Sequence, residues 1–317
     1  MLRLMHRHWF LLLLLGTLAI GMGWADRCAP LAKGLPSAWI IGSVLWAMAL
    51  PLRMDHLVDT LRSPRPALLA VATSWLLVPL LAWCFGHLLI DDLALGLTIT
   101  AAVPCTLASA AVWTRLAGGN DSVGFLVTVL TNLSCFCVTP ALIQISSGRT
   151  VAAISFGPMA LRLLALIVLP LGLAQLMRRM RSVRHWADQT RHLLNAYAQL
   201  GILAIVFVGA VHCGTTLGAL ASQWVQFGGQ LAALLIIVAT IHTIAWASGY
   251  WVAGRIGIAR PEQIAVAFAG SQKTLMVGLV IALDFGGLTI LPLITFHVVQ
   301  LLIDTLLASR LRVGSEA

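Results

Sequence analysis

Ten apolar stretches, separated by short polar gaps, leave this chain of 317 residues few ways to fold. They run over about 8–24, 35–52, 66–89, 92–117, 121–146, 151–177, 193–214, 228–253, 262–284 and 287–309. A helix that crosses the hydrocarbon of a bilayer needs ~20 mostly apolar residues. Inside that layer no water serves the backbone, so each segment must pair its own N–H and C=O groups. The chain is 60% hydrophobic and only 10% charged, against roughly 25% charged residues in soluble domains. The reading is an all-α polytopic membrane protein, one integral domain over residues 1–317, with the lipid bilayer as its surroundings.

The positions of the charges decide what the net charge of +9 means. They lie in the gaps between spans, and no Lys/Arg run is interleaved with aromatics on a soluble segment, so nucleic acid is excluded as a partner. Positive residues accumulate in cytoplasmic loops. With both termini inside, the inner set is Arg3, Arg7, Arg53, Arg62, Arg65, Arg115, Arg178, Arg179, Arg181, Arg184, Arg191, Arg255, Arg260, Arg310 and Arg312, fifteen in all. The outer set is three: Arg27, Lys33 and Arg149. This asymmetry orients the chain in a plasma (inner) membrane. Arg178–Arg191 is the longest inner loop. The first stretch has a rival reading as a cleavable signal peptide ending near Gly23-Trp24-Ala25. The ten-span repeat described next favours retention.

Lys273 stands between two apolar runs, Ile264 to Ala269 and Leu275 to Leu283. A bare ammonium at mid-membrane costs ~2.5 kcal/mol or more, so such a residue is paired, hydrated or functional. Its neighbours Gly270, Ser271, Gln272 and Thr274 loosen a helix and offer polar atoms. The ninth span is therefore expected to break here. The fourth has its own interruption at Pro104-Cys105-Thr106. Shifting the sequence by 168 residues places Thr106-Leu107 on Thr274-Leu275 and Gly118-Gly119 on Gly286-Gly287. Five spans is an odd number, so two such blocks have opposite orientation. The expectation is a 5+5 inverted repeat over about 8–146 and 151–309. Corresponding interrupted spans in two halves mark a transporter's binding site.

At these residues the chain resembles the bile acid/sodium symporter family, in its divergent sodium–bile-acid-cotransporter-like branch. Three stretches carry the resemblance. One is Pro104-Cys105-Thr106-Leu107-Ala108-Ser109 leading to Thr114-Arg115-Leu116-Ala117-Gly118-Gly119-Asn120. The second runs from Thr128 to Thr139-Pro140. The third is Gly270-Ser271-Gln272-Lys273-Thr274-Leu275. The resemblance implies ten transmembrane helices divided into a panel domain and a core domain, with broken helices four and nine crossing in the core. It implies secondary transport of a small organic anion driven by sodium. In the family sodium is held by a Ser-Asn pair after the fourth-helix break, hydroxyls of the fifth helix, and a glutamate plus amides of the ninth and third. Ser109, Thr128 and Gln272 match ligand positions and are the candidate sodium ligands. Ala110 replaces the asparagine, Gly124 a hydroxyl, Phe268 the glutamate, and Ser74 the third-helix glutamine. With the carboxylate gone and an ammonium beside Gln272, Lys273 is expected to take the place and charge of one sodium. Coupling is then open to fewer sodium ions, to protons or to neither.

The expected substrate and ion site thus comprises Lys273, Gln272, Ser271, Thr274, Gly270, Ser109, Thr106, Thr114 and Ser74. Thr128, Thr131 and Asn132 join it on one face of the fifth span at i, i+3, i+4. A structural partner for Lys273 is sought at Asp304, which lies at similar depth. His212, His242 and His297 read as packing histidines, Arg162 as a snorkelling side chain, and the six cysteines as packing residues. No HExxH, GxSxG or Gly-x-Gly-Asp motif appears, so a membrane enzyme is not expected. No Walker A motif appears either. Besides sodium-coupled symport, the alternatives are a proton-coupled or uncoupled solute carrier or exporter, and a non-transporting regulator or channel.

Overall fold

The computed structural model describes residues 2–52, 60, 64–147, 156–219 and 224–313, and every regular element among them is helical. The expected inner charges Arg53 and Arg62, the outer Arg149, and the first residues of the sixth stretch lie outside the described residues. In chain order α1 is Leu2–Gly23, α2 Ala25–Gly34 and α3 Ser37–Ala49. α4 runs Arg65–Gly86 with a π-turn over Thr73–Leu77. α5 is Asp91–Ala102, α6 Ser109–Leu116 and α7 Asp121–Ser147. α8 runs Phe156–Arg178, with a second π-turn over Leu164–Val168. α9 is Arg181–Gln189, α10 Arg191–Ala219 and α11 Trp224–Arg255. α12 is Arg260–Ser271, α13 Leu275–Phe285 and α14 Ile290–Val313.

Seven helices among the described residues are long and apolar enough to cross a bilayer, or eight if the bent pair α1–α2 counts as one. Length and composition alone therefore do not reach the expected ten. The second stretch yields α3, only 13 residues long. The fourth is cut into α5 and α6, of 12 and 8 residues. The bend between α1 and α2 is 110°. The Arg178–Arg191 loop is helical too, through α9.

Small residues set the helix spacing, as they do where lipid removes any hydrophobic drive to associate. A Cβ on Gly21 of α1 would lie 2.6 Å from Ala210 Cβ of α10, and one on Gly201 2.2 Å from Val44 of α3. α1, α2, α3 and α10 form one packed group, with α8 against α3. α4, α5, α6, α7, α11, α12 and α14 form another. Polar groups finish the helix ends. α3 leaves carbonyls open beside Pro51; Gln175 Nε2 donates to Ala49 O at 2.7 Å and Arg178 Nη1 to Leu50 O at 3.0 Å.

Large apolar side chains face outward along the long helices, among them Leu68, Leu76, Leu161, Leu169, Ile236, Trp251 and Leu306. The broken pair α12–α13 is the opposite case, for its whole apolar window is buried by neighbouring helices. Irregular backbone at membrane depth is tolerated only where protein encloses it. Arg162 does not snorkel freely: it forms an ion pair with Asp284 at the end of α13. All six cysteines are free, and Cys105, Cys135 and Cys213 are buried.

Candidate functional site

Both expected breaks are present, and they lie against each other. α5 ends at Ala102 and α6 begins at Ser109; α12 ends at Ser271 and α13 begins at Leu275. Thr274 N donates to Pro104 O at 3.0 Å, so backbone joins backbone across the two breaks. Gln272 Oε1 accepts from Thr106 Oγ1 at 2.6 Å and from Ser109 Oγ at 2.9 Å. Thr106 Oγ1 also accepts from Ala110 N at 3.1 Å, holding a donor at the start of α6.

α7 supplies the third wall. Thr128, Thr131 and Asn132 are buried on the shared face that their spacing predicts. Thr131 Oγ1 accepts from Cys105 N at 3.2 Å, Asn132 Nδ2 donates to Cys105 O at 2.9 Å, and Thr128 Oγ1 donates to Thr106 O at 3.0 Å. Thr139, further along α7, donates to Ala102 O at 2.9 Å. Pro104 cannot donate, and the broken α5–α6 backbone finds its partners here instead of in a helix. Asn132 Oδ1 is buried with no protein partner.

Lys273 is 2% exposed. Its Nζ donates to Ser74 O at 2.6 Å, Ser74 Oγ at 3.0 Å and Val103 O at 3.1 Å. An ammonium has three donors, so all are used. The Ser74 carbonyl is free for a local reason. Val78 N–H turns back to Thr73 O across the π-turn. The next residue is Pro79, which has no N–H to give. Ser74 O thus lacks a helical partner and accepts the lysine instead. π-turns concentrate at functional sites. Gln300 of α14 clamps the lysine backbone, accepting from Lys273 N and donating to Lys273 O, both at 3.0 Å.

The expected ion pair between Lys273 and Asp304 is not formed. Among the described residues no carboxylate lies within 4.0 Å of the ammonium. Asp304 is fully buried and accepts from Gln272 Nε2 at 2.6 Å through Oδ2. Its Oδ1 faces His242 Nε2 of α11 at 2.9 Å. α14 thus contributes a buried carboxylate to the cluster around Gln272. His242 is a hydrogen-bonding partner of this carboxylate rather than a packing residue alone. Asp304, His242 and Gln300 are site residues that sequence reasoning did not assign. The available signal was a carboxylate, an imidazole and an amide inside apolar spans.

The remaining expected residues fall around this cluster. Ser271 Oγ donates to Ala267 O at 2.8 Å within α12, while its carbonyl faces His242 Nδ1 at 3.4 Å. Thr274 joins through its backbone. Gly270 marks close approach: a Cβ there would lie 3.0 Å from Thr73 Cβ of α4. Thr114 lies over a turn beyond Ser109, bonds Ala110 O at 2.8 Å and packs beside Gly119 and Gly124. It is a packing neighbour of the cluster rather than part of it.

Ser109, Thr128 and Gln272 offer the hard oxygens that sodium takes. Thr128 Oγ1 turns to Thr106 O and Gly124 O. The three fit sodium in donor chemistry, and binding would exchange their present hydrogen bonds for the ion. Among the described residues no group of three His, Cys, Asp or Glu forms a transition-metal site. A cavity of about 520 Å³ approaches the first turn of α6. Pro51, Leu107, Ala108, Arg115 and Arg191 are in its lining.

The chain is 27% identical over 299 residues to "Uncharacterized sodium-dependent transporter YocS" of Bacillus subtilis (strain 168), covering 90% of this chain and 88% of the relative. It is 24% identical over 250 residues to "Uncharacterized protein YbaS" of the same organism, 78% of each chain. It is 21% identical over 308 residues to "Sodium/bile acid cotransporter 7-B" of Xenopus laevis, 90% of this chain and 85% of that one. The model of the SBF-like CPA transporter family matches residues 8–313. This multi-pass membrane protein belongs to the SBF-like CPA transporter family and is a transporter, not an enzyme.

Proposed function

We propose that this protein is a secondary transporter of a small organic anion, working by alternating access. One observation carries the reading: two interrupted helices are hydrogen-bonded to each other around a buried lysine that has no carboxylate partner among the described residues. The architecture we infer is ten transmembrane helices in an inverted repeat, with both termini on the cytoplasmic face of the inner membrane. The repeat is supported by reciprocal anchors. Asn120 N donates to Pro261 O at 2.9 Å, and Leu288 N, 168 positions on, to Asp92 Oδ2 at 3.1 Å. Gly118 and Gly286, again 168 apart, carry φ of 78° and 64° where α6 and α13 end. The group α1–α3, α8 and α10 would be the panel, against which the core rocks.

Lys273 takes the place of a cation in this reading. Two carbonyls and a hydroxyl surround its Nζ, which is the donor set a sodium ion takes. With all three N–H groups engaged, the lysine compensates charge and the substrate anion approaches elsewhere. The cavity beside α6 gives it a path, lined by Arg191, by Arg115 in its ion pair with Asp121, and by the first turn of a half-helix. Helix N-termini complement anions. Sodium remains the coupling ion suggested by the names of the relatives, and Ser109, Thr128 and Gln272 would hold it.

The test is counterflow in proteoliposomes with labelled organic carboxylates and sulfonates, bile acids among them. Saturable exchange of at least one solute, accelerated by unlabelled solute on the far side, is the expected result. Non-saturating conductance, or exchange of none of them, would defeat the reading.

A further inference from the structure

The segment that joins α8 to α10 presents a surface that the transport scheme does not use. α8 and α10 are both long and apolar enough to cross the bilayer; one ends at Arg178 and the other begins at Arg191. α9, Arg181–Gln189, fills that gap, with only two residues before it and one after it. It has no length with which to leave the surface, so it lies along the bilayer at the level of the lipid headgroups. Ala187 is completely buried, and Val183, one turn before it, packs partly buried against the apolar core. Its neighbours are α8 and α10.

The other face of α9 is cationic. Arg181 and Arg184 stand three residues apart and so share a face. Both are exposed, as is Arg179 just before the helix. Asp188 is the only carboxylate of α9, and it is committed to Arg178, whose Nη2 lies 2.8 Å from Asp188 Oδ1. Arg178 Nη1 also donates to Leu50 O at 3.0 Å, which ties this corner to the end of α3. Among the described residues no carboxylate pairs with Arg179, Arg181 or Arg184. Three guanidinium groups thus stand on a fixed scaffold without an anion of their own.

An apolar band adjoins these charges. Leu173, Leu176, Met177 and Met180 are exposed along the last turns of α8 and just past it, and Trp186 is exposed on α9. Tryptophan concentrates at the boundary between membrane and water. An anionic phospholipid complements both parts. Its acyl chains meet the apolar side chains of α8, and its phosphodiester meets the arginines, whose paired N–H groups match phosphate oxygens. A cluster of arginines where a span leaves the bilayer attracts anionic headgroups. A soluble anion would use the arginines alone and leave the apolar band uncovered.

We propose that α9 and the end of α8 form a binding site for an anionic phospholipid, with Arg179, Arg181 and Arg184 on its phosphate. α8 and α10 belong to the group read above as the panel. On that reading the lipid anchors the part against which the core moves, while the lipid site itself stands without it. The test is thermal unfolding of the full-length protein in detergent at low ionic strength, titrated with phosphatidylglycerol or with phosphatidylcholine. Phosphatidylglycerol should raise the unfolding temperature more, because a ligand of the native state stabilises it. In Arg181→Gln/Arg184→Gln the phosphatidylglycerol concentration that gives half of that gain should rise roughly 25-fold, about five-fold per arginine. A matched pair elsewhere, Arg255→Gln/Arg260→Gln, should keep the wild-type response. Equal gains from the two lipids would overturn the proposal. So would an equal loss of response in the two double variants, which would mean net charge rather than a site. Inorganic phosphate that reproduces the gain without lipid would also overturn it, since the apolar band would then have no part. No transported solute enters these measurements, so their outcome is separate from that of counterflow.

Discussion

Replacing Lys273 by methionine keeps an unbranched chain of similar length and removes only the ammonium. Three hydrogen bonds from an ionic donor disappear, each worth ~1.5–3 kcal/mol. Against this, the wild-type protein bears the cost of a desolvated ammonium, which is several kcal/mol even after relaxation. The two terms oppose, and no carboxylate is left stranded, because Asp304 is bonded to His242 and Gln272 instead. The net loss should be ~0–3 kcal/mol, mostly from the orphaned carbonyls of Ser74 and Val103. Asp304→Leu is the contrasting case. It strands a buried imidazole and a buried amide, and each buried donor left unsatisfied costs ~1–3 kcal/mol, so the two together cost ~2–6 kcal/mol. Equilibrium unfolding in mixed detergent micelles, wild type against each variant, reads both values. A Lys273→Met loss equal to or larger than that of Asp304→Leu would refute the assignment of partners.

Ser74→Ala deletes one of the three acceptors of the ammonium, the hydroxyl, and should cost ~1–3 kcal/mol in the same assay; no loss would mean that the Ser74 hydroxyl does not hold the lysine. Gly96→Ala places a methyl 2.2 Å from Thr289 O, a backbone atom that cannot rotate away; the α5–α14 contact must open, lowering stability by ~1–3 kcal/mol as measured by thermal unfolding. Arg191→Gln removes a cation from the cavity beside α6; it should raise the KM for anion exchange and weaken its salt dependence while leaving unfolding unchanged. A KM and salt dependence equal to wild type would remove Arg191 from the anion's path.

The two breaks were legible because Pro104 and the Gly270–Thr274 cluster interrupt otherwise apolar runs, and an interruption is a local property. The shared face of Thr128, Thr131 and Asn132 was legible for the same reason, from helical spacing alone. What the sequence does not encode locally is who meets whom. Asp304 and Lys273 lie at similar depth, yet α14 directs the carboxylate to Gln272 and His242. Depth along a helix says nothing about rotation around it. Two of the three acceptors of Lys273 are main-chain carbonyls, which carry no residue-type signal except that Pro79 stands five residues after Ser74. The buried carboxylate of the cluster stands on α14, a helix that local reading of the α12 break does not reach. Arg162 was read alone, and its partner Asp284 lies in a different span.

The central claim is that the ammonium of Lys273 stands where a transport cation would otherwise sit. A ligand that binds the native state raises stability by mass action. Thermal unfolding of purified protein across a sodium titration, at constant ionic strength, compares wild type with Lys273→Met directly. Removing the ammonium should create an added sodium response, so that the methionine variant gains more stability from sodium than the wild type does. An equal or smaller sodium response in the variant would contradict it.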